Sequence, residues 1–343
     1  MNLLRKILFP FAAIYGGITW IRNYLYDHGI FRSEIFNVPI IAVGNISTGG
    51  TGKSPQIEYL IRLLSPNYKV ATLSRGYKRK SSGFILADSH DTAETLGDEP
   101  YQFHLKFPEV RVAVDADRRN GIKKLLELPQ KPDLILLDDA FQHRKVQAGM
   151  YILLTAYGDI YADDFVLPTG NLRESRRGAK RAQIIIVTKC PPDLSMEEQL
   201  KIQLRLKLKS AQQLFFSYID YDDNVYSETN VLSVSDMRSK QKVLVAGIAK
   251  PQPFFDYLSN FSDVKMQFSD HHVFSDNEIA EIAEVSKGKL LVTTEKDYVR
   301  LKNTSLKDSL FYLPIKTKFI GGSSKFNKSI SNYLSPHESE NKG

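Results

Sequence analysis

Ser47-Thr48-Gly49-Gly50-Thr51-Gly52-Lys53-Ser54 follows the apolar run Val38-Pro39-Ile40-Ile41-Ala42-Val43, and this junction decides how the chain is read. A strand that runs into a glycine-rich turn and then Lys-Ser is how a phosphate-binding loop is built. Backbone N–H groups wrap the phosphates, the lysine adds a positive charge, and the hydroxyl holds Mg²⁺. The usual first glycine of such a loop, five residues before Gly52, is Ser47 here, while Gly49 and Gly50 supply flexibility just inside it. A helical segment is expected over 55–64, where a phosphate loop must open its helix.

A phosphate loop needs a carboxylate on a neighbouring strand for its metal. Pro132-Asp133-Leu134-Ile135-Leu136-Leu137-Asp138-Asp139 supplies one, as four consecutive aliphatic residues ending in paired aspartates. The run suits a parallel strand buried on both faces, with its carboxylates at the C-terminal edge where open α/β sheets bind ligands. Adjacent carboxylates repel unless a cation or donors neutralise them. Mg²⁺–nucleotide binding is therefore expected, with Asp138 and Asp139 doing separate jobs that the sequence does not divide.

At 343 residues the chain exceeds the size at which one core stops growing, so two domains are expected. A single cysteine, Cys190, excludes an intramolecular disulfide, and the absence of a Cys pair excludes a zinc signature. The formal charge of +7 gathers at Arg75, Lys78, Arg79 and Lys80 and again between Arg173 and Arg181. No nucleic-acid motif accompanies these groups, so an anionic small molecule or membrane surface is the expected partner.

Ahead of the phosphate loop, Arg5-Lys6 precede a 15-residue run, Ile7 to Ile21, that is followed by Arg22. That is short of the roughly 20 residues needed to span a bilayer. A signal peptide would also combine charge with an apolar core, but no small-residue cleavage site follows, and Trp20, Tyr24 and Tyr26 suit a headgroup region. The segment is read as an amphipathic helix on a membrane surface.

The expected organisation is a membrane-surface helix over 1–26, a nucleotide-binding domain over 27–155 and a turn-rich interdomain linker over 156–182. A second α/β domain over 183–330 and a flexible tail over 331–343 complete it. Strands are expected at 38–43, 69–73, 110–114, 133–137 and 151–154, then at 184–188, 213–218, 243–247, 264–268 and 290–293. Gly97-Asp98-Glu99-Pro100 is read as a loop that interrupts a helix over 92–104 and carries side chains into the cleft.

Chemistry needs a group to take a proton from an acceptor hydroxyl and cations to oppose charge on the moving phosphoryl group. An Asp–His pair suits the first task, and Asp98 and His271 are candidates, though nothing in their spacing brings them together. Arg173, beside Glu174 in the linker, suits the second task, reaching the nucleotide when the domains close.

Seven segments in order are similar to those of the tetraacyldisaccharide 4'-kinase (lipid A 4'-kinase) family. They are Val43 to Pro55, Ser74 to Tyr77, Gly97 to Pro100, Asp138 to His143, Gly170 to Glu174, Asp270 to His272 and Thr293 to Asp297. The hydroxyl at Ser47 agrees with the family, and Ala140-Phe141 stands where many relatives carry Gly-Leu. The resemblance implies a P-loop NTPase-like α/β/α sandwich, a second, smaller α/β/α domain, and a thin two-stranded link between them. It implies ATP-dependent phosphorylation of the 4'-hydroxyl of a tetraacylated glucosamine disaccharide 1-phosphate. It further implies an N-terminal helix in the cytoplasmic face of the bacterial inner membrane, with no nucleic acid and no obligate protein partner.

Carried over by motif, Ser47, Thr48, Gly49, Gly50, Thr51, Gly52, Lys53 and Ser54 hold the nucleotide, and Ser54, Asp138 and Asp139 the Mg²⁺. Asp98 and His271 form the base pair, and Arg173 and Glu174 line the closing site. The competing reading is a membrane-associated P-loop GTPase or nucleotide-gated binding protein, since Thr188-Lys189-Cys190 resembles a guanine-reading element; Pro191 stands where that element needs aspartate.

Overall fold

The computed structural model describes residues 5, 7–270 and 272–340, with side chains described through 335. The first part of the chain forms α1 (Phe9–Asp27), β1 (Ile40–Gly44), α2 (Lys53–Leu64), β2 (Val70–Ser74), β3 (Ile85–Leu86), α3 (Ala93–Leu96) and α4 (Asp98–Lys106). There follow β4 (Arg111–Val114), α5 (Arg118–Leu126), β5 (Leu134–Asp138), β6 (Met150–Ala156), β7 (Ile184–Thr188), α6 (Met196–Leu206) and β8 (Gln213–Tyr221). Next come β9 (Asn224–Tyr226), β10 (Val231–Ser233), α7 (Val234–Ser239), β11 (Lys242–Ala246), α8 (Gln252–Leu258), β12 (Val264–Gln267) and α9 (Asp276–Val285). The chain closes with β13 (Leu290–Thr294), α10 (Glu295–Leu301), β14 (Leu310–Leu313), β15 (Ile315–Phe319) and α11 (Ser324–Glu340).

Two sheets result. The larger has nine strands in the order β15-β8-β7-β6-β1-β5-β2-β4-β3, and the smaller has six in the order β10-β9-β14-β13-β11-β12. Strands β8 to β4 of the large sheet run parallel, with antiparallel β15 and β3 at its edges. The aliphatic strands β1, β5 and β7 are buried along their whole length, as strands covered on both faces must be. Ile57, Leu60 and Ile61 of α2 cover one face together with Phe103 of α4 and Phe326, Ile330 and Leu334 of α11.

Three expectations about organisation change. The strands at 184–188 and 213–221 belong to the large sheet, because β7 pairs with β6 and β8 with β7, so the smaller sheet begins only at β9. The segment 156–182 stays within the first unit, and the chain crosses between sheets at β8–β9 and again at β14–β15. The antiparallel pairing of Tyr221 with Ile315 makes this crossing two-stranded. The expected tail is helical through 340, with Leu334 buried in the first core and the Tyr333 hydroxyl donating to the Ile40 carbonyl. Of that tail, residues 341–343 lie outside the described residues. Polar composition concealed an apolar stripe, Phe326, Ile330 and Leu334, at helical spacing.

The two units meet through α4 and α10. Lys106 Nζ lies 2.7 Å from Glu58 Oε2 and also pairs with Glu295, while Gln102 Nε2 donates to Glu58 Oε1 at 2.8 Å. Glu295 is buried, and its Oε2 finds no hydrogen-bond partner among the described residues. Burial, with the Glu58 charge beside it, pushes the Glu295 carboxyl up to about 7. A carboxyl raised on folding leaves stability complete below its unfolded value near 4.5 and erodes it as pH climbs through about 7. Glu295→Gln is therefore expected to match the parent at pH 4.5 and to exceed it at pH 8 by about 1–3 kcal/mol. Urea unfolding at the two pH values checks this, and a variant weaker at pH 8 would show the ionised pair to be a net stabiliser.

Candidate active site

β1 lies between β5 and β6, so the loop leaving it emerges at the same sheet edge as Asp138, Ala156 and Thr188. Buried Asn45 ties the two limbs of the loop, its Nδ2 donating to Thr51 Oγ1 at 2.8 Å and to the Gly49 carbonyl at 3.3 Å. Gly52, at φ 81°, takes the left-handed conformation that lets the chain turn into α2, whose first two residues are Lys53 and Ser54. Helical structure thus begins two residues earlier than expected, with its N-terminus at the loop, as an anion site there would require.

Two neighbours brace the loop. Thr188 Oγ1 donates to the Thr51 carbonyl at 2.7 Å, and Lys189 Nζ donates to the Gly50 carbonyl at 2.6 Å. With these carbonyls anchored at the end of β7, anion contact falls to the N–H groups of the loop and of the α2 N-terminus. On its other side, Thr48 N–H donates to the Asn171 carbonyl and Arg173 N–H to the Ile46 carbonyl, both at 2.7 Å. The segment expected to join the domains is thus laid against the phosphate loop.

Lys53, Asp139 and Arg173 converge. Lys53 Nζ is 3.6 Å from Asp139 Oδ1, and Arg173 Nη1 is 3.2 Å from both oxygens of Asp139. Burial works against ionisation of Asp139, but the Lys53 and Arg173 charges outweigh it and hold this carboxyl below its ordinary range. Asp138 points elsewhere. Its Oδ2 accepts from Ser74 Oγ at 3.4 Å, while Oδ1 is buried with no hydrogen-bond partner among the described residues. Burial first, and the Asp139 charge second, push Asp138 up to about 6. Below it the buried guanidinium of Arg118 donates to the carbonyls of Asp115 at 2.6 Å and Asp138 at 3.1 Å, pinning the end of β5.

Glu174 does not face this cleft. It is 3% exposed. Arg181 donates to Oε2 at 2.9 Å and Oε1 at 2.8 Å, Asn23 to Oε2 at 2.8 Å, and Gln142 to Oε1 at 3.1 Å. The chain bends at both residues, and Arg173 reaches Asp139 while Glu174 ties α1 and the loop after β5 together from behind.

Asp98 and Glu99 open α4, with Gly97 at φ 92° separating it from α3. The expected loop is thus a break between two helices, and the acids stand in a first turn, where the helix dipole favours them. Arg300 Nη2 donates to Asp98 Oδ2, and Lys296 Nζ lies 3.1 Å from Glu99 Oε1. The Glu99 charge is among those that raise Asp138, so this turn lies within electrostatic reach of the β5 acids. His271 lies outside the described residues. Its neighbour His272 is engaged with Glu278 Oε1 at 2.9 Å.

The sequence reading missed the buried Arg118, which has no motif, and Lys189 as a brace, although Thr188-Lys189 after a buried strand was visible. Burial and the charges of Lys250 and Lys296 lower the Lys189 amine, Lys53 adds to this and Asp270 opposes it, so three further lysines lie within electrostatic reach of Lys189. Such a cluster suits a polyphosphate. Lys189→Ala should weaken ATP binding about tenfold, the equivalent of roughly 1.5 kcal/mol for one charge-assisted hydrogen bond. Titration calorimetry checks it, and unchanged affinity would separate Lys189 from the loop.

A phosphate loop and an acidic strand end on a parallel sheet, faced by cations from a second α/β unit, define a P-loop phosphotransferase. A sequence profile described as Tetraacyldisaccharide-1-P 4'-kinase matches residues 4–335, and the chain belongs to that family. The tetraacyldisaccharide 4'-kinase of Flavobacterium johnsoniae is 61% identical over 334 residues, covering 97% of this chain and 98% of that one. That of Bacteroides thetaiotaomicron is 44% identical over 355 residues, covering 96% and 93%. The crystal structure of LpxK from Aquifex aeolicus in complex with ATP superposes with a TM-score of 0.77 at 30% identity, over 96% of this chain and 99% of that one.

Proposed function

We infer that this chain transfers the γ-phosphoryl group of ATP to the 4'-hydroxyl of a tetraacyldisaccharide 1-phosphate, the acceptor named by its family. The observation that carries the reading is the meeting of Lys53, Asp139 and Arg173 at the phosphate loop. Lys53 and the N–H groups of the loop and of α2 hold the β- and γ-phosphates, and Arg173 opposes charge that grows on the moving group. The Ser54 hydroxyl and the partnerless Asp138 Oδ1 fit a hard cation that takes oxygen ligands. Among the described residues no cluster of three His, Cys, Asp or Glu could hold a metal, which suits Mg²⁺ completed by phosphate oxygens and water. Mg²⁺ there would neutralise phosphate charge and orient the γ-group. Asp139 holds Lys53 and Arg173 in place.

The acceptor oxygen bonds to the γ-phosphorus as the bond to the β–γ bridging oxygen breaks, and ADP leaves with that electron pair. The hydroxyl proton passes to a base, for which Asp98 with His271 is our proposal, resting for His271 on the family motif. Transfer of labelled γ-phosphate to the disaccharide 1-phosphate lipid, compared with a monosaccharide precursor, tests the function. ATP hydrolysis with neither acceptor labelled would defeat it.

The lipid acceptor suits α1. Phe11, Ile14, Ile18 and Ile21 form one stripe, each more than half exposed, while Ala12, Tyr15, Arg22 and Asn23 on the other side meet the protein. A groove of about 420 Å³ beside α1 is lined by Phe9, Gly16, Trp20, Phe165 and Arg177, a mix that fits acyl chains near a phosphate. Among the described residues no helix is long and apolar enough to cross a membrane. Our reading is that α1 lies in the cytoplasmic face of the inner membrane. Ile14→Glu with Ile18→Glu should cut partition onto phosphatidylglycerol vesicles by more than about tenfold, because two isoleucines contribute roughly 3 kcal/mol or more on burial. Flotation measures this, and parental partition would remove α1 from the interface.

A further inference from the structure

Beside Lys296 and Glu295, the smaller sheet sends to α4 a third side chain, Arg300, that lies outside the seven shared segments. β13 ends at Thr294, which caps α10 by accepting from Asp297 N–H. Asp297 is fully buried; its Oδ2 accepts from Gly247 N–H at 2.8 Å and from Thr294 Oγ1 at 2.6 Å. Its Oδ1 accepts from Arg300 Nη1 at 3.2 Å, one turn along the helix. Gly247 leaves the end of β11, and a Cβ there would lie 3.0 Å from Asp297 Oδ1, a tight contact that glycine avoids. Arg300 is thus aimed by a carboxylate that is itself locked to the ends of β11 and β13. Its other nitrogen, Nη2, donates across the interface to Asp98 Oδ2. The side chains of Arg300 and Asp98 are 12% and 23% exposed, so the contact is shielded from bulk water.

A guanidinium that takes one oxygen of a carboxylate sets the plane of that group, and hence the direction of its other oxygen. We propose that Arg300 is a positioning residue for phosphoryl transfer, carried by the smaller sheet, which orients the Asp98 carboxylate. The inference rests on the reading of Asp98 as a proton-handling group of this kinase. It adds that the acid is held ready by the second unit, through Asp297 and Arg300, rather than by its own helix.

The test is a double-mutant cycle in the full chain, in mixed micelles of the lipid acceptor, with kcat and the KM values for ATP and acceptor measured separately. Arg300→Met is expected to lower kcat on the order of 100-fold, the scale of a misplaced catalytic group, with ATP KM within about twofold of parental. Arg300→Lys keeps the charge without the planar fork and should recover about tenfold of that loss. In an Asp98→Asn background, Arg300→Met should change kcat by less than about threefold, because the group it orients is already disabled. Equal losses with and without Asp98, or a loss confined to ATP KM, would overturn the proposal. An impaired Asp98→Asn beside a parental Arg300→Met would overturn it alone, whereas a parental Asp98→Asn would overturn the reading of Asp98 and the proposal with it. Should Arg300→Met fail to fold, Arg300→Lys is read through the same cycle by the same criteria.

Discussion

Lys53→Ala is expected to lower acceptor phosphorylation by roughly 10²–10³-fold, the scale observed when one preorganised donor to a developing anion is removed. The fold should be nearly untouched. Lys53 stands at the start of α2 with 18% of its side chain exposed, and its nearest anion, Asp139, keeps both of its contacts to Arg173 when the lysine is lost. The missing charge would instead be felt by the phosphates, whose developing charge Arg173 would be left to oppose. Steady-state turnover with the lipid acceptor reads the first effect and circular dichroism melting the second. Turnover near the parental value would remove Lys53 from the phosphate site.

Glu174→Ala is expected to do the reverse, destabilising the chain by about 3–5 kcal/mol, the usual cost of leaving one partner of a buried ion pair alone. Arg181 would lose both of its bonds to the carboxylate and be left over the Phe141 ring, 4.5 Å from its centroid. Asn23 and Gln142 would lose an acceptor each, loosening α1 and the loop after β5 together. Glu174→Gln, which keeps the shape, should lose less. Urea unfolding in detergent measures the effect. A Glu174→Ala protein that melted like its parent yet failed to turn over would return Glu174 to the reaction and defeat its reading as a buried tie.

The pair Arg173-Glu174 shows where sequence reading stops. Both residues lie in one motif and both carry charge, so residue type assigns both to the closing site. Only the folded chain, which bends at both residues, sends one to Asp139 and the other behind α1. Asp138 and Asp139 divide for a related reason. Asp139 adopts a left-handed φ of 46° just past β5, so the two carboxylates leave the strand in unrelated directions. One meets Lys53 and Arg173, and the other keeps a buried oxygen with no hydrogen-bond partner among the described residues.

What the sequence determined by itself is local. Ile40 to Val43 and Leu134 to Leu137 are aliphatic without interruption, so they had to be strands buried on both faces. Ser47 to Ser54 had to be a phosphate loop because glycine, lysine and hydroxyl meet there in the order that a polyphosphate requires. What only the tertiary structure decided is pairing between distant segments. Aliphatic strands such as β7 carry no label for the sheet they join, which is why 184–188 read as the start of a second domain and instead extends the first. Asp98 and Arg300 lie 202 positions apart, and no periodicity links them. They meet because α4 and α10 pack across the interface, and such packing is settled by the shape and charge of whole surfaces, which one-dimensional spacing does not contain.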